Sequence, residues 1–155
     1  MREEHYRDLL RSADHPKCGD WPPGFDRDAA EARFLRLAER IEQVVGRPCY
    51  VETGAGLQDS AFHGQVLLPT DLWNADGDGD GIFVRASNFG NLATIACDSA
   101  HVPEEYLRLL AAVLTSMGYE YVPEEILWEP YDGEFSWPCD DGRAHPWWDR
   151  YFNCM

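Results

Sequence analysis

The sequence predicts an α+β fold: an antiparallel sheet of four to five strands packed against two main helices, with an aromatic-rich C-terminal segment. Three observations carry this expectation. Residues 28–45 and 103–117 each gather their apolar side chains on one helical face. Residues 48–97 hold short runs that alternate apolar and polar, as half-buried strands do. Asn88-Phe89-Gly90 separates two of those runs as a hairpin turn would. A length of 155 residues suits a single domain spanning 1–155.

Residues 2–11 carry Tyr6, Leu9 and Leu10 among charges, which suits a short helix stopped by Asp14-His15-Pro16. Trp21-Pro22-Pro23-Gly24-Phe25 reads as a rigid extended turn. Asp26 or Asp28 then caps the first main helix. Phe34, Leu35, Ala38, Ile41 and Val45 share one face of it, and Gly46 with Pro48 ends it.

Strands are expected at 48–53, 60–68, 81–88 and 91–97. In the second, Phe62, Val66 and Leu68 fall on one side and His63, Gln65 and Leu67 on the other. In the hairpin, Asn88 and Gly90 are expected to supply positive φ angles. The second main helix buries Tyr106, Leu107, Leu110, Val113, Leu114 and Met117 and stops at Gly118. Its opening, Val102-Pro103-Glu104-Glu105-Tyr106-Leu107, returns as Val122-Pro123-Glu124-Glu125-Ile126-Leu127. Proline followed by two carboxylates suits a helix N-terminus, so the echo marks a reused helix start. Residues 119–122 between them suit a fifth strand. The last 28 residues hold eight of the twenty aromatics, and Trp147, Trp148, Tyr151 and Phe152 are spaced to cover one side of a final helical turn.

Charge bounds the function. Residues 1–47 hold nine Arg/Lys against ten Asp/Glu, a net of −1, whereas residues 48–155 hold four Arg against eighteen carboxylates, a net of −14. Such a field repels nucleic-acid phosphate and anionic lipid and attracts cationic surfaces. A single lysine, Lys17, beside twelve arginines suits a GC-rich bacterial genome. The first residues lack the apolar core of a secretory signal, and no run approaches the roughly 18 apolar residues of a membrane span. Five widely spaced cysteines, an odd number, suit reduced thiols in a cytoplasm.

No motif identifies catalytic residues. Asp76-Gly77-Asp78-Gly79-Asp80-Gly81 matches the first half of a calcium loop, which makes Asp76, Asp78 and Asp80 candidate ligands. Its twelfth position is Ser87, where a bidentate glutamate belongs, so a solvated turn without cofactor is the competing reading. His15-x-x-Cys18 with Cys139 and His145 has four possible zinc donors but no finger spacing. Cys97 and His101 give a thiol and a base four residues apart at a strand end. A small hydrolase would need convergent groups such as His63 beside Glu52 or Asp59.

The acidic C-terminal loops offer a different chemistry. Trp128, Glu129, Tyr131, Asp132, Glu134, Trp137, Asp140 and Asp141 interleave aromatic anchors with carboxylates, the composition of a surface for a basic protein partner.

Two stretches, Ser87-Asn88-Phe89-Gly90-Asn91-Leu92-Ala93-Thr94-Ile95 and Trp147-Trp148-Asp149-Arg150-Tyr151-Phe152, resemble a group of small uncharacterised bacterial α+β proteins. In general character the chain is similar to immunity proteins of bacterial toxin systems: small, acidic and cytoplasmic. The resemblance implies an interaction protein and carries over no active-site residues. The expected function is therefore a non-catalytic acidic binding protein, immunity- or inhibitor-like. The alternatives are a small enzyme with a carboxylate/His or metal site, and a calcium-binding or purely structural domain.

Overall fold

A computed structural model describes residues 2–57, 60–72, 81–97, 102–137 and 142–153. Among the described residues, five strands form one sheet in the order β1-β2-β3-β4-β5: Tyr50–Thr53, Phe62–Leu67, Ile82–Ser87, Leu92–Cys97 and Glu120–Tyr121. The first four pair antiparallel in sequence order, and β5 runs parallel to β4. This is the predicted α+β architecture, with a parallel fifth strand. The parallel direction follows from the connection, because helix α3 (Glu104–Ser116) carries the chain back before β5 begins.

Each face of the sheet has its own helical cover. Ile82, Val84 and Ala86 of β3 and Ala93 and Ile95 of β4 pack with Phe34, Leu37 and Ile41 of α2 (Arg27–Val45) and Leu110 and Leu114 of α3. Phe83 of β3 and Leu92 and Ala96 of β4 point the other way. They meet Leu10 of α1 (Arg2–Ala13), Ile126 and Leu127 of α4 (Glu124–Leu127), and Trp147, Trp148 and Tyr151 of α5 (Trp147–Tyr151). The aromatic C-terminal segment thus covers the second face of the sheet. Trp147, Trp148, Tyr151 and Phe152 are all buried.

The caps of α2 are those its sequence implies. Asp26 accepts from the Ala29 amide at 3.1 Å, and Gly46 closes the C-terminus at φ 80°. Pro103 and Pro123 each sit one residue before a helix in extended backbone, so the echoed motif does start two helices.

Two local expectations are corrected. The register of β2 against β3 shifts between Phe62 and Gly64, leaving His63 as an extra, bulged residue. The bulge exchanges the sides of Phe62 and His63. Phe62 meets Arg85 on the second face, and His63 packs beside Phe34 of α2. Gly64 follows, pressed so closely on the Phe34 ring that no side chain fits. In the hairpin, Gly90 alone takes positive φ; Asn88 instead turns its side chain inward. Asn88 Nδ2 donates to the carbonyls of Ser60 and Asp20, and its Oδ1 faces His63 Nδ1 at 3.2 Å.

Candidate functional site

The region around α4 starts from a local rule. Pro123 sets extended backbone, Glu124 and Glu125 follow at the positive end of a short helix, and Ile126 and Leu127 bury its inner side. Trp128 comes next, at the C-cap, and is 53% exposed. Its indole stacks on the buried Trp148 at 5.2 Å and 11°. Its Nε1–H donates to Glu124 at 3.2 Å. One indole face is thereby fixed to the core and the ring is held at the surface without costing rotamer freedom on contact.

The acids beyond Trp128 divide by role. Glu129 receives both arms of the Arg7 guanidinium at 2.9 and 2.8 Å. The Arg7 hydrogen bonds hold its carboxyl below the usual carboxylate range. Asp132 accepts from Arg11 at 3.0 Å. Both residues therefore tie the C-terminal segment to α1. Glu134 is exposed. Asp140 and Asp141 lie outside the described residues, as do Asp76, Asp78 and Asp80 of the calcium-like loop.

The other two aromatics of the predicted surface are half-buried. The Tyr131 hydroxyl donates to Asp14 and accepts from the Phe135 amide. Burial pushes its pKa up to about 12, and its bond to Asp14 adds to the rise. Its ring stands edge-on to Trp137 at 5.1 Å and to Trp147 at 4.6 Å. Trp137 stacks on His145 at 4.3 Å and 11°. Of the three aromatics in the acidic loops, Trp128 is the open one, while Tyr131 and Trp137 brace the segment.

What braces it is a buried cation. Arg150 of α5 is 1% exposed. It donates to Asp14 Oδ1 at 2.8 Å, and to the carbonyls of Gly19 at 2.7 Å, His15 at 2.9 Å and Cys18 at 2.6 Å. Phe89 and Phe135 cover the guanidinium at 4.4 and 4.0 Å. The loop after α1 is thus wrapped around a side chain more than 130 residues away. Arginine suits this post because its planar fork offers five fixed donors. A hint lay in the sequence: Arg150 stands inside the run Trp147-Trp148-Asp149-Arg150-Tyr151-Phe152.

The described candidates for catalysis and metal binding lie in different surroundings. His63 is 6% exposed, between the rings of Phe25 and Phe34, and burial drives its pKa down to about 4. Glu52 faces Gln65 across the strands, and Asp59 lies outside the described residues. Cys97 is buried, and His101 and Cys139 are likewise outside. His15 and Cys18 give their carbonyls to Arg150, and His145 Nδ1 pairs with Asp149 at 2.9 Å. Among the described residues no group of three His, Cys, Asp or Glu could hold a metal ion. Among them, too, no helix is long and apolar enough to cross a membrane.

Beside α4 lies an open groove of about 980 Å³ between α1 and α3. Tyr6 and Arg2 of α1, Ala111 and Thr115 of α3, and Tyr121 of β5 line it. A cleft of about 340 Å³ continues it along Gly118, Tyr119 and Glu120. The groove is not legible in the sequence, because its walls come from three separate stretches of chain. No family model, curated protein or solved structure matches the chain.

Proposed function

We propose that the chain is a non-catalytic binding protein that engages a basic protein partner, as an immunity protein or inhibitor does. The observation that carries this reading is Trp128: a half-exposed indole, stacked on a buried one and bonded to Glu124. A rigid aromatic anchor beside a carboxylate is the composition of a binding hot spot for cations. The net −14 of residues 48–155 adds long-range attraction for a positively charged partner. Steric blockade by the docked chain would then be the means of inhibition.

We place this activity in the cytoplasm of a bacterium. The free thiols of Cys18 and Cys49 support a reducing compartment. The test is affinity capture from the native host on the immobilised chain at low salt. The reading expects a basic protein that the Trp128→Ala chain retains poorly. Recovery of no basic protein, or equal recovery by both chains, overturns it.

A further inference from the structure

We propose that the groove between α1 and α3 receives an extended, Lys- or Arg-bearing segment of the partner as an added strand on β5. This rests on the binding function proposed above and names how the partner is held.

Among the described residues the sheet ends at β5, so its outer edge is the last in the order. The amides of Glu120 and Val122 donate to Asn91 and Ala93 of the β4 side at 2.7 and 3.0 Å. By strand alternation the N–H and C=O of Tyr121 therefore point away from β4. Tyr121 also lines the groove and the cleft that continues it. α1 and α3 stand on opposite faces of the sheet and rise on either side of this edge. The space between them is where a sixth strand would lie. Ala111, Ala112 and Leu107 give it an apolar wall for alternate side chains.

Charge selects the occupant. Arg108 at the rim is bonded to Glu104 at 2.6 Å. Glu3 is held by Arg7 at 3.5 Å, so Arg2 stands against Glu120 and Glu125 around the groove and its cleft. A strand alternating apolar with basic residues meets both the wall and the rim.

The experiment uses the full chain and the peptide acetyl-Lys-Val-Lys-Val-Lys-Val-Lys-amide at low salt, read by backbone amide shifts. Two analogues of the peptide are N-methylated, one on its four lysine amides and one on its three valine amides, so that each blocks a different edge. Strand addition expects shifts at Tyr121. It also expects one analogue to bind as the parent does and the other to be at least about tenfold weaker. Thr115→Arg fills the groove at an exposed helical position and should abolish binding. Thr115→Glu should weaken binding although it adds negative charge. Equal binding by both analogues, or unchanged binding by either variant, overturns the groove assignment. So does a silent peptide on a chain that still captures a basic partner through Trp128, and in that case the function reading stands. Loss of both capture and peptide binding overturns the two together.

Discussion

Replacing Arg150 tests whether a single buried guanidinium fastens the two ends of the chain. Arg150→Met keeps the length of the stem and removes four donor contacts, one to a carboxylate and three to carbonyls. Asp14 stays behind with its side chain 9% exposed, supported by the Tyr131 hydroxyl alone of these two partners. Breaking a buried ion pair from one side costs about 3–5 kcal/mol. The three abandoned carbonyls belong to a loop that relaxes towards water, so about 4 kcal/mol is the expected loss. Domains are stable by about 5–15 kcal/mol, and a urea slope of about 2 kcal/mol/M turns this loss into a midpoint about 2 M lower. Equilibrium urea unfolding at neutral pH measures it. Arg150→Lys should recover little, because an ammonium cannot span acceptors placed for a fork. A double-mutant cycle with Asp14→Asn should show a coupling above about 1 kcal/mol. A loss below about 1 kcal/mol for Arg150→Met, or a lysine variant as stable as the parent, refutes the clamp.

Three further outcomes follow from the packing and the electrostatics. His63 titrates near 6.5 when unfolded and at about 4 when folded, so the folded chain refuses a proton that the unfolded chain accepts. Its contribution is complete above pH 6.5 and is lost as pH falls towards 4, by about 3 kcal/mol. An NMR titration of the ring should show no midpoint near 6.5; finding one there contradicts the burial argument. Gly64→Ala drives a methyl into the Phe34 ring, which is itself fully buried, and should cost about 1–3 kcal/mol, with Phe34→Leu restoring part of it. A neutral Gly64→Ala would mean that α2 does not press on β2 there. Trp128→Ala should cost less than about 1.5 kcal/mol by thermal melting, because one face of the indole already meets water. A larger loss would make Trp128 a core residue and remove it as an anchor.

Where the sequence could be read, the rule was local. Asp26 and Gly46 delimit α2 because a cap and a left-handed turn are decided within a few residues. The strands from 50 to 97 and the hairpin were legible for the same reason, since alternation and turn glycine are short-range signals. The bulge was not, because the register of β2 is set by its neighbour: one extra residue turns His63 towards Phe34. Composition placed arginines at the surface by default, yet Arg150 is interior because distant carbonyls converge on it. The same distance effect splits the predicted binding surface. Glu129 and Asp132 have the residue types of a docking patch, but α1 supplies Arg7 and Arg11 to pair them. Trp128 keeps the surface position that its acidic setting suggested. The groove between α1 and α3 could not be read at all, since no stretch of sequence contains more than one of its walls.

Association kinetics bear most directly on the proposed function. With the captured partner, the association rate should fall at least about tenfold as ionic strength rises from about 10 to 300 mM, because charge–charge steering is screened over that range. Trp128→Ala should leave that slope unchanged and speed dissociation. An association rate indifferent to salt, with dissociation unmoved by the loss of the indole, would contradict an acidic surface built to hold a cationic protein.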